Sequence, residues 1–403
     1  MIRERKLSSL SYISGAKSTY EIPKDAVFHQ LQLVLTGRLN IAYGATPTAS
    51  KLAPGFPYNM INQIRLIRNG SDVVWQGSGK QLAKETMYLN GEYPQARVWG
   101  GTTSSTLQTL LLQTVNGVSI PSNAEGIGAN VATFQDGSPT ASTTQFVNFR
   151  AVGEIWLQLG VDEFFTTLVD ARPLASFVLE VTWAQASEFI ILGTNGTLTV
   201  DTSTQLLVAS YDQDNVASGV KFGTFKRSSI SATTYSYSSS NNQQLLPRGN
   251  FYYGIILEAL AFRSGGLATI GEPGNDIVSA VQNRVNSNYY LRDTNFTDLQ
   301  AKNRIDSNIG NPYDVWSGGP QGWAQLLYPC TDKSLRNLVA TYTMDVFDIL
   351  FTMGAGTEGG AVTGNPIVNI LTQEVIPGQS IAPNAPRGSQ GGSISMTSAK
   401  PGM

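Results

Sequence analysis

Ile22-Pro23-Lys24, followed by Val27, Leu31 and Leu33, returns as Leu246-Pro247-Arg248, followed by Phe251, Ile255 and Leu257. The offset in numbering, counted from Pro23 to Pro247, is 224. A second set recurs at a smaller offset. Ile64, Asn69, Val74 and Leu82 answer to Val281, Asn286, Leu291 and Leu299, at 217. A third set, Leu174, Phe177 and Val181, is matched to Leu335, Leu338 and Tyr342 at 161. Order and polarity agree across the three. The shrinking offset means that the first copy holds extra residues, 56 of them between the second and third sets. The chain reads as a duplication.

The repeated unit is built from strands. Val27, His29, Leu31, Leu33 and Leu35 share one parity, and Leu39, Ile41 and Tyr43 continue it past Gly37. Period-two alternation of this kind marks a half-buried strand, with a bend predicted at Gly37. Ile61 to Ile67 runs into Asn69-Gly70 and returns as Val73-Val74-Trp75, a hairpin signal. Gly79 to Leu89 predicts a short helix ended by Asn90-Gly91. Strands resume at Gln145 to Phe149, Glu154 to Leu159 and Ser176 to Trp183. Residues 100–145, crowded with Gly, Ser, Thr and Asn, read as a long ornamented loop within the first copy.

These readings predict an all-β chain of two tandem sandwich or jelly-roll domains with short helices in the connections. The expected bounds are an N-terminal arm over 1–19, a first roll over 20–190 and a second over 191–375. The boundary between rolls is expected near 185–200. A flexible C-terminal tail, rich in Pro, Gly and Ser, covers 376–403.

Composition narrows the function. Among 403 residues, 41% are hydrophobic but only 14% charged, against about 25% charged in an ordinary soluble domain. Such a chain has a normal core and a surface poor in charge, as expected of a protein hidden in an assembly. The net charge of −2 argues against binding nucleic acid by phosphate neutralisation. The most apolar run, Gly254 to Leu260, is short and contains Glu258, so no transmembrane helix is expected. MIRERKLSSL has basic residues without an apolar stretch, unlike a signal peptide.

Chemistry-bearing residues are scarce. Cys330 is the only cysteine and His29 the only histidine, which excludes a disulfide framework, cysteine-cluster zinc sites and His-pair metal sites. His29, on an apolar strand face, reads as a buried, hydrogen-bonded side chain, and Cys330 as a packing thiol. Glu154, Asp162, Glu163 and Glu180 are the best candidates for paired carboxylates in glycoside hydrolysis. Adjacent Asp162 and Glu163 would point to opposite faces, and a solvated turn explains them better. Gly77-Ser78-Gly79-Lys80 lacks the glycine a phosphate loop needs at Val74, and Gln81 replaces its Ser/Thr. Asn69, Asn195 and Asn295 open glycosylation patterns that matter only in a secretory pathway. Catalytic, cofactor-binding and metal sites are therefore all expected to be absent, as is hydrolytic activity. A rival reading is a carbohydrate- or receptor-binding β-sandwich of the fibre or adhesin type. Tyr313, Trp316 and Trp323 would form its aromatic cluster.

Leu246-Pro247-Arg248-Gly249-Asn250-Phe251-Tyr252-Tyr253 resembles the segment that opens the second jelly roll in tectivirus capsid proteins. Asn59-Met60-Ile61-Asn62-Gln63-Ile64-Arg65-Leu66-Ile67-Arg68-Asn69-Gly70 is similar to bacterial-virus members of the same group. The chain, over about residues 20–375, thus resembles the double jelly-roll major capsid proteins of tailless icosahedral double-stranded DNA viruses. These include tectiviruses and corticoviruses, with adenovirus hexon a distant relative. The resemblance implies two tandem eight-stranded jelly rolls, a double jelly roll, and a homotrimer with six rolls that tiles an icosahedral shell, usually over an internal membrane. It implies no catalytic residues. Implied partners are neighbouring trimers and minor capsid and vertex proteins, with localisation in the virion after synthesis in the host cytoplasm. No sequence-specific nucleic-acid binding is implied. Arg3, Arg5 and Lys6 in the N-terminal arm are expected to contact the membrane or a neighbouring trimer.

Overall fold

The computed structural model describes residues 2–378, apart from 49, 54, 92–95, 103–108, 111, 116–117, 122–140, 160–166, 215–221, 233–234, 263–270, 307–321, 329–337 and 358–359. The first half contributes β1 (Arg3–Ser11), β2 (Lys17–Glu21), β3 (Val27–Tyr43), β4 (Ile61–Arg68), β5 (Asp72–Gly77), β6 (Thr144–Trp156), β7 (Phe177–Trp183) and β8 (Gln205–Gln213). One sheet runs β1-β8-β3-β6 and the facing one β2-β7-β4-β5. The second half repeats the plan with β9 (Thr224–Ala232), β10 (Asn242–Leu245), β11 (Phe251–Ala261), β12 (Val278–Val285), β13 (Tyr289–Asn295), β14 (Trp323–Leu327), β15 (Phe347–Met353) and β16 (Ile367–Ile376). Its sheets run β9-β16-β11-β14 and β10-β15-β12-β13. Each half is an eight-stranded jelly roll. Helix α1 (Gly79–Asn90) follows β5, and α2 (Phe296–Asp306) follows β13 in the same way.

Equivalent hydrogen bonds fix the repeat. Ile22 N–H donates to Phe177 at 2.8 Å, and Leu246 N–H to Phe347 at 2.9 Å. Asn69 N–H donates to Ser176 at 2.9 Å, and Asn286 N–H to Val346 at 2.8 Å. The carboxamide oxygens of Asn69 and Asn286 each accept from the backbone N–H one residue earlier, of Ala175 and Asp345, both at 2.8 Å. The offsets of 224 and 217 are therefore those of the fold. The third is not. Phe177 pairs with Arg68 and Phe347 with Val285, so the closing strands stand at an offset of 170, and the excess in the first half is 47. Leu338 precedes the strand, Tyr342 lies in the turn before it, and Leu335 is outside the described residues. Apolar residues in that approach mimic strand alternation nine positions early.

Two domain bounds need correction. β8 pairs with β1 and β3, and its Leu206 and Val208 join the first core, so the first roll runs through Gln213 instead of ending at 190. Residues 1–19 are no free arm. β1 is an edge strand of the first roll with Leu10 buried, and β2 pairs with β7. Much of 100–145 and all of 379–403 lie outside the described residues. Within the former, Leu112–Val115 and Val118–Pro121 pair as a small hairpin.

The first core is built on Phe28, Trp75, Phe149, Phe177 and Trp183, and the second on Tyr252, Phe296, Phe347 and Phe351. Each such side chain contributes roughly 1.5–3 kcal/mol on burial. β3 runs unbroken through Gly37, where a Cβ would sit 2.4 Å from the Thr204 hydroxyl. The glycine there admits a crossing side chain and produces no break. α1 begins at a capping box, with Ser78 accepting from the Gln81 N–H at 3.2 Å and Gln81 accepting from the Ser78 N–H at 2.9 Å. It ends at Gly91 with φ +74°.

Candidate functional site

The site that the sequence did not announce is the seam between the rolls. β5 of the first roll and β9 of the second run parallel, bridged at Trp75 and Arg227, so one sheet crosses from half to half. α1 lies over this seam. Its apolar side places Met87 and Tyr88 against Ile256, Trp323 and Leu371 of the second roll. Phe225, Phe251, Tyr253, Leu327 and Val375 form a second apolar cluster, against which Leu89 and Leu159 pack from the first half.

Charge is buried in the middle of it. Glu85 and Arg227 are both fully buried, with Arg227 Nε 3.2 Å from Glu85 Oε1. Trp75 Nε1 donates to Glu85 Oε2 at 2.7 Å, and Gln373 Nε2 donates to Oε1 at 3.1 Å. Gln325 Nε2 in turn donates to Gln373 Oε1 at 3.0 Å. Arg227 donates to the backbone oxygens of Phe225 and Trp156, both at 2.5 Å, and its guanidinium lies 4.2 Å from the Phe225 ring centroid. Burial lowers the Arg227 pKa to about 10, against the pull of Glu85, so the guanidinium stays protonated at neutral pH. A second pair crosses beside it. Lys80 Nζ is 2.5 Å from Glu258 Oε1, and Asn369 Nδ2 donates to Glu258 Oε2 at 2.8 Å. The first roll thus offers Glu85 and Lys80, and the second the opposite charges. Alternating signs fix one relative placement of the two rolls, since a slip would bury unpaired charge.

Both rolls also bury an acid at the same place in their last strand. Asp212 accepts from Ser210 Oγ at 2.6 Å, and Glu374 from Thr372 Oγ1 at 3.1 Å. Asn250 Nδ2 serves Glu374 at 2.6 Å. Asp212 is held by Arg3 Nε at 2.6 Å and Arg5 Nη2 at 3.0 Å. Arg5 also binds Asp25 at 2.6 Å, and Arg3 binds Asp214 at 2.7 Å. Arg3 and Arg5 are thus engaged within the roll.

The remaining candidates do not converge. His29 is buried, with Nδ1 2.7 Å from Gln158 Oε1. Glu154 accepts from Asn90 Nδ2 at 2.9 Å and Trp156 Nε1 at 3.2 Å. Glu180 lies 2.5 Å from Lys17 and 3.1 Å from Arg65 on the opposite sheet. Glu154 is hydrogen-bonded by neutral donors and Glu180 is paired with cations, so each acid is engaged separately. Asp162, Glu163, Tyr313, Trp316 and Cys330 lie outside the described residues. Trp323 is 3% exposed at the seam, with Lys84 Nζ 5.7 Å from its ring centroid, so it cannot serve an exposed aromatic cluster. Asn69 and Asn195 occupy tight turns at φ +50° and +56°. Among the described residues, no three His, Cys, Asp or Glu side chains are grouped to hold a metal ion. No described helix is long and apolar enough to cross a membrane.

Two jelly rolls in tandem, fused through a shared sheet, define a double jelly roll, the fold expected from the duplication. Solved viral capsid proteins share it along nearly the whole chain. The STIV MCP superimposes with a TM-score of 0.59 at 14% identity, over 93% of this chain and 97% of that one. A chain from the atomic structure of Sulfolobus Turreted Icosahedral Virus gives 0.59 at 14%, over 93% and 90%. The Faustovirus major capsid protein gives 0.50 at 8%, over 93% and 89%. No protein-family model matches the chain, and no curated protein does.

Proposed function

We propose that the chain is a major capsid protein whose trimers tile an icosahedral shell. The observation that carries this is the buried seam, which makes two rolls one rigid tile, in a fold shared end to end with solved capsid proteins. A shell tile needs stiff sandwiches and sides that meet without strong repulsion. A net charge of −2 over 403 residues meets the second need. The protein works by association with itself and with neighbouring trimers, and its place is the virion. Catalysis forms no part of this reading, because the candidate acids that can be placed are each paired to other groups. Membrane contact through Arg3 and Arg5 forms no part of it either, since both are held by acids of the roll. Light scattering on the purified chain tests the proposal: the particle mass should be three times the 43.3 kDa of one chain. Electron microscopy of concentrated material should then show facets or shells. A protein that stays monomeric at high concentration would overturn it.

A further inference from the structure

We infer that the free edge of the second roll is a socket for strand β1 of another copy, built as a charge-reversed replica of the seam inside the chain. The inference rests on the capsid reading only for the number of copies. The joint itself follows from the repeat.

Within the chain, β5 of the first roll meets β9 of the second. The equivalent of β5 in the second roll is β13, and the equivalent of β9 in the first is β1. Both are edge strands. β13 pairs only with β12 and β1 only with β8 among the described residues, so each offers an open backbone edge for pairing. The edges also carry unusual apolar exposure. Tyr289 and Tyr290 on β13 are 66% and 48% exposed, Ile305 on α2 is 77% exposed, and Ile2 beside β1 is 52% exposed.

The register can be carried over residue by residue. Arg227 lies across from Gln373, and Glu4 lies across from Tyr211 at the same position of the first roll, so Glu4 stands where Arg227 does. The helices are aligned by a hydrogen bond to the neighbouring strand. Glu154 N–H donates to Thr86 Oγ1 at 3.0 Å, and Gln325 N–H donates to Asn303 Oδ1 at 2.6 Å. Thr86 therefore corresponds to Asn303, and Glu85 to Lys302. At the same spacing Trp75 corresponds to Arg292. The buried Glu85–Arg227 pair is thus replaced, at the open edges, by Lys302 with Arg292 on one side and Glu4 on the other. Glu4 and Lys302 are both exposed in the single chain. The sign of that pair is inverted and its complementarity kept, while the Lys80–Glu258 pair has the uncharged Thr297 and Val34 at its equivalent positions.

A hollow of about 280 Å³ between β13 and α2 marks the socket, with Arg292, Lys302, Leu291 and Leu299 in its lining. Its two acids are otherwise placed: Asp293 accepts from Gln282 at 3.1 Å, and Asp306 is buried. Arg3 and Arg5 turn toward Asp212 and Asp25, while Glu4 alternates with them, exposed beside the Tyr211 hydroxyl, and would reach the socket from there. A joint of this head-to-tail kind closes a ring when its rotation allows. With three copies the ring holds six rolls, joined alternately by the inner seam and its reversed copy.

The test is a charge swap on the full chain, read by light scattering across a dilution series. Glu4→Lys and Lys302→Glu, each alone, should raise the concentration at which the oligomer dissociates by about tenfold or more, since each places like charges together. The double variant should return it close to that of the unaltered chain. Both positions are exposed, and circular dichroism should show every variant folded. A second measurement is independent of charge. In a Cys330→Ser background, Glu4→Cys with Arg292→Cys should oxidise to intermolecular disulfides, giving covalent dimers and trimers on a non-reducing gel. A wild-type trimer with no rescue and no cross-link would overturn the joint and leave the capsid reading standing. A wild-type monomer at all concentrations would overturn both.

Discussion

Glu85 and Arg227 are the residues on which the seam turns, and neither is conspicuous in the sequence. Glu85 sits at the middle of a twelve-residue helix among Lys84, Thr86 and Lys80, where a solvated face would be read. Its burial is imposed by β9, a strand from the other half of the chain. Local pattern carries no record of such a partner. Removing one member strands the other in a dry site. Glu85→Ala should therefore lower the unfolding free energy by about 3–5 kcal/mol, while Glu85→Gln with Arg227→Met should recover most of the loss. Urea titration of the three proteins checks this. A single variant as stable as the parent would mean that water reaches Arg227. Ser78 sets a smaller scale. Ser78→Ala deletes the side-chain acceptor of the α1 capping box and should cost about 0.5–2 kcal/mol by the same titration.

Elements are legible where they are local. The β3 alternation, the Asn69-Gly70 hairpin and the stop at Gly91 depend on residues within one element or one turn, and the structure keeps all three. What is illegible is pairing at distance. β1 looks like a polar tail because its alternation is masked by Arg3, Arg5 and Lys6, and only Asp212, in the last strand of the roll, gives two of those charges a reason to be there. Deleting residues 2–11 should accordingly unfold the first roll, because it exposes the edge of β8 and leaves Asp212 buried without a cation. Full retention of the thermal midpoint would restore the view of a detachable arm. Acid should act on the same element. The hydrogen bond from Arg5 holds the Asp25 carboxyl below its usual 3.8, so its contribution is complete above pH 3.8 and is lost only as pH falls through the lower folded value. Amide protection in β1, corrected for intrinsic exchange rates, should stay level from neutral pH down to 3.8 and decline below it.

At the scale of the whole molecule, the repeat and the seam make opposite demands. A duplicated chain could unfold as two domains, each with a core of its own, and the two cores here are distinct. The seam works against that independence. It continues a sheet from β5 to β9, covers α1 on both sides and buries ionic partners supplied one from each roll. If the second roll unfolded first, Glu85 would lose Arg227 and Gln373, Lys80 would lose Glu258, and the Met87–Tyr88 surface would meet water. If the first roll went, Arg227 and Glu258 would be left unpaired in a half-open site. Either order carries the cost of uncompensated charge in addition to lost apolar burial, so the rolls should melt together. Calorimetry on the unaltered chain should show one transition, and Glu85→Ala should both lower it and broaden or split it. Two well-separated transitions in the unaltered chain would mean that the rolls are joined too weakly for the seam to set the tile's shape, and the replica joint between copies would then have no rigid template to copy.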